Sequence, residues 1–102
     1  MTPEQKQSAR QILKKDCTLR GSYFINGKTC ALGALGLAAG VPELELAKFK
    51  SQCIEVCPTL HGAILSKFGL SVEQQASIQQ VNDDFVGVER RRQEVVSCLD
   101  SL

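Results

Sequence analysis

The chain has 102 residues, enough for one ordinary domain and too few for a second. Hydrophobic residues make up 43% and charged residues 23%, as in an average globular domain, so we expect a packed core rather than a disordered chain. Twelve Lys and Arg against eleven Asp and Glu give a net charge of +1. This balance excludes a strong overall field toward DNA, RNA or an anionic membrane.

The start of the chain and its cysteines predict a cytoplasmic protein. Residues 1–4, Met-Thr-Pro-Glu, lack the pattern of a signal peptide, and no apolar stretch is long enough to span a bilayer. The five cysteines are an odd number, which disfavours a disulfide framework. In a reducing compartment we expect them to behave as small buried hydrophobic residues.

Capping signals and apolar spacing predict an amphipathic first helix. Thr2 is a suitable N-cap, Pro3 suits the first helical position, and Gln5 completes a capping box. The apolar residues that follow lie on one helical face as far as Asp16 or Cys17. We therefore expect the first helix to end there.

The next segment predicts a short hairpin and a central helix. Asn26-Gly27 follows an aromatic and β-branched lead-in, so we expect a hairpin within residues 22–30. Thr29 can cap a helix over residues 30–39, which has no polar face and is closed by Gly40. A helix without a polar face is normally buried at the centre of its domain.

The remainder predicts further short helices. Pro42 can begin a helix that continues toward Val56, and a helix over residues 59–68 ends at Gly69. Ser71 opens another helix with a second capping box.

The last helix is predicted from a polar cap and an apolar stripe. Asn82-Asp83-Asp84 interrupts the apolar pattern and can cap a final helix. Its predicted apolar positions are Val88, Val95, Leu99 and Leu102. Together the elements predict an all-α single domain over residues 1–102, with five or six short helices around a buried central helix.

Gly27-Lys28-Thr29 stands at the entrance of the central helix, as in a phosphate-binding loop. Ser22 occupies the position that requires glycine, and no parallel sheet is predicted, so the pattern favours a turn that leads into a capped helix over the loop of a nucleotide-hydrolysing enzyme. A free helix N-terminus beside Lys28 would still attract an anion.

Cys30 is the candidate nucleophile if the protein is an enzyme. In the first turn of the central helix, the helix dipole would lower its pKa. The only base that the sequence offers is its single histidine, His61. The alternative is that Cys30 is a buried structural cysteine.

Cys53, Cys57 and His61 are spaced by four and four residues, and their side chains are zinc-ligand types. Pro58 interrupts the helix that would carry them. We therefore expect no metal, and we expect a helix face that has His61 at its solvent edge. No cofactor motif occurs in the sequence.

The sequence predicts a ligand-binding surface where the loop of residues 20–29 meets the start of the last helix. Loops carry function more often than packed helices, and arginine forks suit phosphate and carboxylate groups. We expect Lys28 and Arg91 to be exposed. The candidate ligand-binding residues are Arg20, Tyr23, Asn26, Lys28, Thr29, Arg90 and Arg91. The alternative for the run of arginines at 90–92 is a solvated helix face.

The sequence resembles a family of small phage and actinobacterial proteins that is catalogued as a domain of unknown function. The shared pattern is Cys-Ala-Leu-Gly-Ala-Leu over residues 30–35, then Ile78 before Asn82-Asp83, then Glu94-Val95 before Leu99. The resemblance implies a compact helical protein. A phage setting would favour a small inhibitor that caps a host protein or sequesters a nucleotide signal.

These observations favour a non-catalytic binding protein, which would act in the host cytoplasm if a phage encodes it. Its expected partner is a host protein, with a small anionic ligand as the alternative. A nucleic-acid binder and an enzyme that uses Cys30 are the competing classes. Association into a homo-oligomer is left open.

Overall fold

The computed structural model describes residues 1–20, 22–48 and 58–102, which form six α-helices and one hairpin of two short strands. The elements are α1 (Pro3–Asp16), β1 (Phe24–Ile25), β2 (Lys28–Thr29), α2 (Ala31–Ala38), α3 (Glu43–Ala47), α4 (Pro58–Phe68), α5 (Val72–Asp84) and α6 (Val88–Asp100). The two strands pair in antiparallel register, with Phe24 opposite Thr29. The predicted all-α fold with a small hairpin is confirmed.

Helix α2 lies at the centre of the domain, as its sequence predicts. It contacts α1, α3, α4, α5 and β2, and its first six residues are buried. A Cβ atom on Gly33 would collide with the backbone carbonyl of Tyr23, and one on Gly36 would collide with the side chain of Leu60. Glycine at these two positions therefore lets neighbouring elements approach the helix closely.

The predicted helix signals at α1 and α5 are confirmed in detail. The side chains of Thr2 and Ser71 each accept a hydrogen bond from the backbone N–H three residues later, at 3.1 Å. In both helices the side-chain oxygen of the glutamine at that later position accepts a hydrogen bond from the backbone N–H of the cap residue. Gly40 and Gly69 adopt φ values of 93° and 71° just beyond α2 and α4, where a left-handed residue is favourable.

The predicted N-cap of α2 is wrong by one residue. Cys30 caps the helix, and the buried hydroxyl of Thr29 instead donates a hydrogen bond to the carbonyl oxygen of Asp16 at 3.0 Å. Thr29 is held away from the cap position because it belongs to β2 and also forms a bridge with Cys17.

The predicted start of the last helix is also wrong. Asn82, Asp83 and Asp84 are the final residues of α5, and α6 has Gly87 as its N-cap. The buried amide of Asn82 faces the interior, so this polar residue continues the inner face of α5 rather than interrupting it. Helix α3 ends at Ala47. Its predicted continuation toward Val56 lies outside the described residues.

The buried stripe of α6 differs from the predicted one. Val88 and Leu102 are 38% and 39% exposed, although the sequence pattern placed them in the core. The buried positions of α6 are Arg91, Val95, Val96 and Leu99. Within the described part of the chain, no helix is long and apolar enough to cross a membrane.

Candidate functional site

The N-terminus of α2 is covered by side chains from α5. The amide oxygen of Asn82 accepts a hydrogen bond from Ala31 N–H at 3.0 Å. The amide oxygen of Gln79 accepts one from Leu32 N–H at 3.2 Å. Helix α5 therefore satisfies two of the amide groups that a helix leaves without a partner at its N-terminus.

Asp83 fixes the orientation of both amides. One of its carboxylate oxygens accepts hydrogen bonds from the Nδ2 of Asn82 and the Nε2 of Gln79, each at 3.1 Å. An ionised carboxylate only accepts hydrogen bonds, so the two amide nitrogens must face it. The two amide oxygens are thereby turned toward the first turn of α2.

The expectation that this helix N-terminus is free to attract an anion is wrong. Besides the two amide oxygens, the sulfur of Cys30 accepts a hydrogen bond from Gly33 N–H at 3.4 Å. Three N–H groups of the first turn are thus occupied. The carboxylate of Asp83, next to both amides, adds negative charge where an anion would have to sit.

Arg91 is buried, which corrects the expectation that it is exposed. Only 3% of its surface is accessible. Its Nε donates to the carbonyl oxygens of Asn82 at 3.0 Å and Phe85 at 2.9 Å. Its Nη1 donates to Thr18 O at 2.9 Å and its Nη2 to Val86 O at 2.8 Å.

These bonds connect the segment after α1 to the loop between α5 and α6, and we call Arg91 the clamp between these two segments. Its acceptors at the end of α5 are carbonyls that lack an intrahelical partner, and they lie at the negative end of the helix dipole. Its bond to Thr18 holds the segment after α1 against the end of α5. The amide Nδ2 of Asn82 donates to the neighbouring Leu19 O at 3.1 Å and strengthens the connection.

The seven predicted ligand-binding residues divide into a buried and an exposed set. The buried ones are Tyr23, Thr29 and Arg91. The exposed ones are Arg20, Asn26, Lys28 and Arg90. A ligand on the outer surface therefore has access only to the second set.

Two of the exposed cations contact the end of α5. Arg20 Nε donates to the carbonyl oxygen of Asp83, and the guanidinium of Arg90 lies 5.2 Å from the ring centre of Phe85. The loop that follows α5 also presents Val86, whose surface is 73% exposed. We call the surface formed by Arg20, Val86 and Arg90 the docking surface.

The hairpin is connected to this region through the segment after α1. The N–H groups of Thr18 and Leu19 both donate to Thr29 O, at 2.8 and 2.9 Å. Lys28 therefore lies one residue from this connection, on an exposed strand position.

Cys30 has the properties of a structural cysteine. Burial raises its pKa to about 12, which is opposite to the lowering expected from the helix dipole. Its sulfur donates to the amide oxygen of Gln79 at 3.4 Å as well as capping α2. Burial also raises the pKa of Cys17 to about 12. Neither thiol is a ready source of thiolate at neutral pH.

His61 is buried rather than at a solvent edge. Its Nδ1 lies 2.6 Å from the amide oxygen of Gln75. The amide nitrogen of Gln75 donates to the carbonyl oxygens of His61 and Leu70, at 3.1 and 2.9 Å, so its oxygen must face the ring. Nδ1 therefore donates a hydrogen bond to this oxygen. The hydrogen bonds of His61 position Gln75, and among the described residues none of them involves a cysteine.

The residues that the structure describes contain no cluster suited to a metal ion. Cys53 and Cys57, two of the ligands considered from the sequence, lie outside the described residues. The expectation that no metal binds at these cysteines therefore stays a prediction.

Sequence reasoning missed the roles of Gln79, Asn82 and Arg91. A signal for Arg91 exists, because it precedes the buried Val95 and Leu99 at spacings of four residues along α6. Asn82 similarly follows the buried Ile78 by four residues on α5. Their long-range carbonyl and amide partners have no comparable signal in the sequence.

Comparison of the chain with protein-family models, with curated proteins and with solved structures found no match.

Proposed function

We propose that the protein is a non-catalytic binding protein that attaches to another protein through its docking surface. In the setting implied by the sequence resemblance, it is a small phage-encoded inhibitor acting on a host protein in the host cytoplasm. The complementary partner surface has an apolar recess for Val86 and carboxylates for Arg20 and Arg90.

The exposure of Val86 on a clamped loop is the observation that carries this proposal. A large apolar side chain that is 73% exposed gains free energy when a partner covers it. Arg91 and the end of α5 already fix the backbone of this loop. Binding then costs little conformational entropy, which favours affinity.

The competing functions have less support. An enzyme that uses Cys30 requires a thiolate, and burial opposes one at this position. A nucleotide-type ligand at the start of α2 would meet occupied N–H groups and the carboxylate of Asp83. Arg20 and Arg90 instead contact the end of α5, which the exposed apolar Val86 follows, and this combination is suited to a protein surface.

The proposal is tested by affinity capture from a bacterial lysate with two matched double variants. One removes an apolar side chain and a cation from the docking surface, through Val86→Ser and Arg90→Gln. The other makes the same changes on α4, where Leu65 is 48% exposed and Lys67 is also exposed, through Leu65→Ser and Lys67→Gln.

A host partner should be retained by the parent chain and the α4 variant and lost by the docking-surface variant. Equal retention of every captured protein by all three chains would contradict the proposal. Self-association of the purified parent that the docking-surface variant abolishes would identify the partner as a second copy of the chain instead.

A further inference from the structure

An open groove runs along α6 beside the C-terminal part of α1. Its volume is about 600 Å³, which is in the range of small-molecule sites. Its lining residues are Lys14, Glu89, Arg92, Gln93, Val96, Ser97 and Asp100. All except Lys14 belong to α6, at spacings of three and four residues that place them on one side of the helix.

Arg92 brings an unused hydrogen-bond donor to this groove. Its Nε atom is buried and has no acceptor among the described residues. Burial is the main cause of the raised pKa of Cys17, and the charge of Arg92 acts in the opposite direction. A buried donor without an acceptor is unfavourable unless a ligand or water supplies one.

Among the described residues, one charged side chain that lines the groove is paired with another residue, and three are free to pair with a ligand. Asp100 is paired with Arg10 at 3.5 Å. Lys14, Glu89 and Arg92 form no ion pair with the described residues. Glu89 and Arg92 stand one helical turn apart and are still not paired. The groove therefore offers two available cations and, at one end, one available carboxylate.

We propose that this groove binds a small amphoteric molecule with an oxyanion at one end and an amine at the other. The oxyanion, a phosphate or a carboxylate, sits between Lys14 and Arg92. The amine faces Glu89, which lies one helical turn from Arg92 on the same side of α6.

The distribution of charge limits the class of ligand. Glu89 and Asp100 both line the groove, so a polyphosphate would place several negative charges near carboxylates. A single oxyanion avoids this repulsion. The carboxylate of Glu89 is a favourable partner for an amine at the other end of the ligand.

The test uses O-phosphoethanolamine, which has a phosphate and an amine, and methyl phosphate, which has the oxyanion alone. Binding of each is followed by changes in the backbone amide NMR signals of the full chain. O-Phosphoethanolamine should shift the signals of residues lining the groove and should bind more tightly than methyl phosphate.

Three variants separate the contributions. Arg92→Gln and Lys14→Gln should each weaken O-phosphoethanolamine binding about tenfold or more, the factor expected from losing one charged hydrogen bond. Arg90→Gln removes the same charge two residues away on another face and should leave binding unchanged. Lys14 is exposed, so its variant remains informative if Arg92→Gln does not fold.

Glu89→Gln tests the amine end. It should weaken O-phosphoethanolamine binding and leave methyl phosphate binding unchanged or tighter. The proposal is overturned if neither probe shifts the groove signals at millimolar concentration, or if Arg90→Gln weakens binding as much as the groove variants. It is also overturned if Glu89→Gln affects both probes alike. None of these results depends on the protein-binding function proposed for the docking surface.

Discussion

Arg91 donates a hydrogen bond through Nη1 to the carbonyl oxygen of Thr18, 73 residues earlier in the chain, at 2.9 Å. This contact joins the segment after α1 to the loop before α6, and both segments border the docking surface. A cation in the middle of an arginine run thus acts as an internal clamp, while its neighbour Arg90 remains exposed.

Replacement of Arg91 by methionine should strongly destabilise the protein. The variant leaves the carbonyl oxygens of Thr18, Asn82, Phe85 and Val86 without their donor, and unsatisfied buried groups cost about 1 to 3 kcal/mol each. We expect a loss of at least about 3 kcal/mol in the free energy of unfolding, measured by urea denaturation.

The matched control is Arg90→Met. The side chain of Arg90 is 65% exposed, so its removal should change the free energy of unfolding by no more than about 0.5 kcal/mol. Similar free energies of unfolding for Arg91→Met and Arg90→Met would contradict the role of Arg91 as a clamp.

Gln79→Ala and Gln80→Ala test the cap that α5 provides for α2. Removing the Gln79 amide leaves Leu32 N–H and the Cys30 thiol without an acceptor, so we expect a loss of about 1 to 3 kcal/mol. Gln80 is exposed and its variant should be within about 0.5 kcal/mol of the parent. Equal melting temperatures for Gln79→Ala and Gln80→Ala would show that the amide cap makes no measurable contribution to stability.

The sequence was sufficient for most of the fold because its signals are local. The capping boxes at Thr2 and Ser71, the glycine after α4 and the uncharged α2 each act within a few residues. The predictions for Asn82 and Arg91 are wrong because both side chains depend on backbone atoms of distant segments, Ala31 N–H and Thr18 O. Long-range hydrogen bonds satisfy these polar groups in the interior, and the local spacing of residues does not identify such partners.

Gly36→Leu should lower stability by about 1 to 3 kcal/mol through overpacking. A Cβ atom at this position would already collide with Leu60 and lie 3.4 Å from a methyl group of Leu46. Gly62→Leu is the control, since a Cβ at Gly62 on α4 meets no atom within 4 Å and glycine disfavours helix. Thermal melting should show Gly36→Leu destabilised and Gly62→Leu unchanged or stabilised. A neutral Gly36→Leu would contradict the tight packing around α2.

The buried thiols predict a loss of stability at alkaline pH. The pKa values of Cys17 and Cys30 are raised by burial from the ordinary 9.0 to about 12. The unfolded chain therefore releases these protons at lower pH than the folded protein does. Their contribution to stability is fully present below pH 9 and falls as the pH rises toward 12, by about 1.4 kcal/mol per pH unit for each thiol.

Urea denaturation of the parent and of Cys17→Ala at about pH 8 and pH 10.5 measures this effect. The parent should lose more stability between the two pH values than the variant, because the variant lacks one of the two thiols. Identical losses would show that the Cys17 thiol ionises equally in the folded and unfolded states.

The Arg91 guanidinium holds the backbone of the loop after α5 and is not free to bind a ligand. The most direct measurement is hydrogen exchange of the arginine Nε–H groups by NMR. The Arg91 Nε–H donates to the carbonyl oxygens of Asn82 and Phe85, at 3.0 and 2.9 Å, and its side chain is buried, so it should exchange far more slowly than that of the exposed Arg90. Exchange of Arg91 as fast as that of Arg90 would contradict the account.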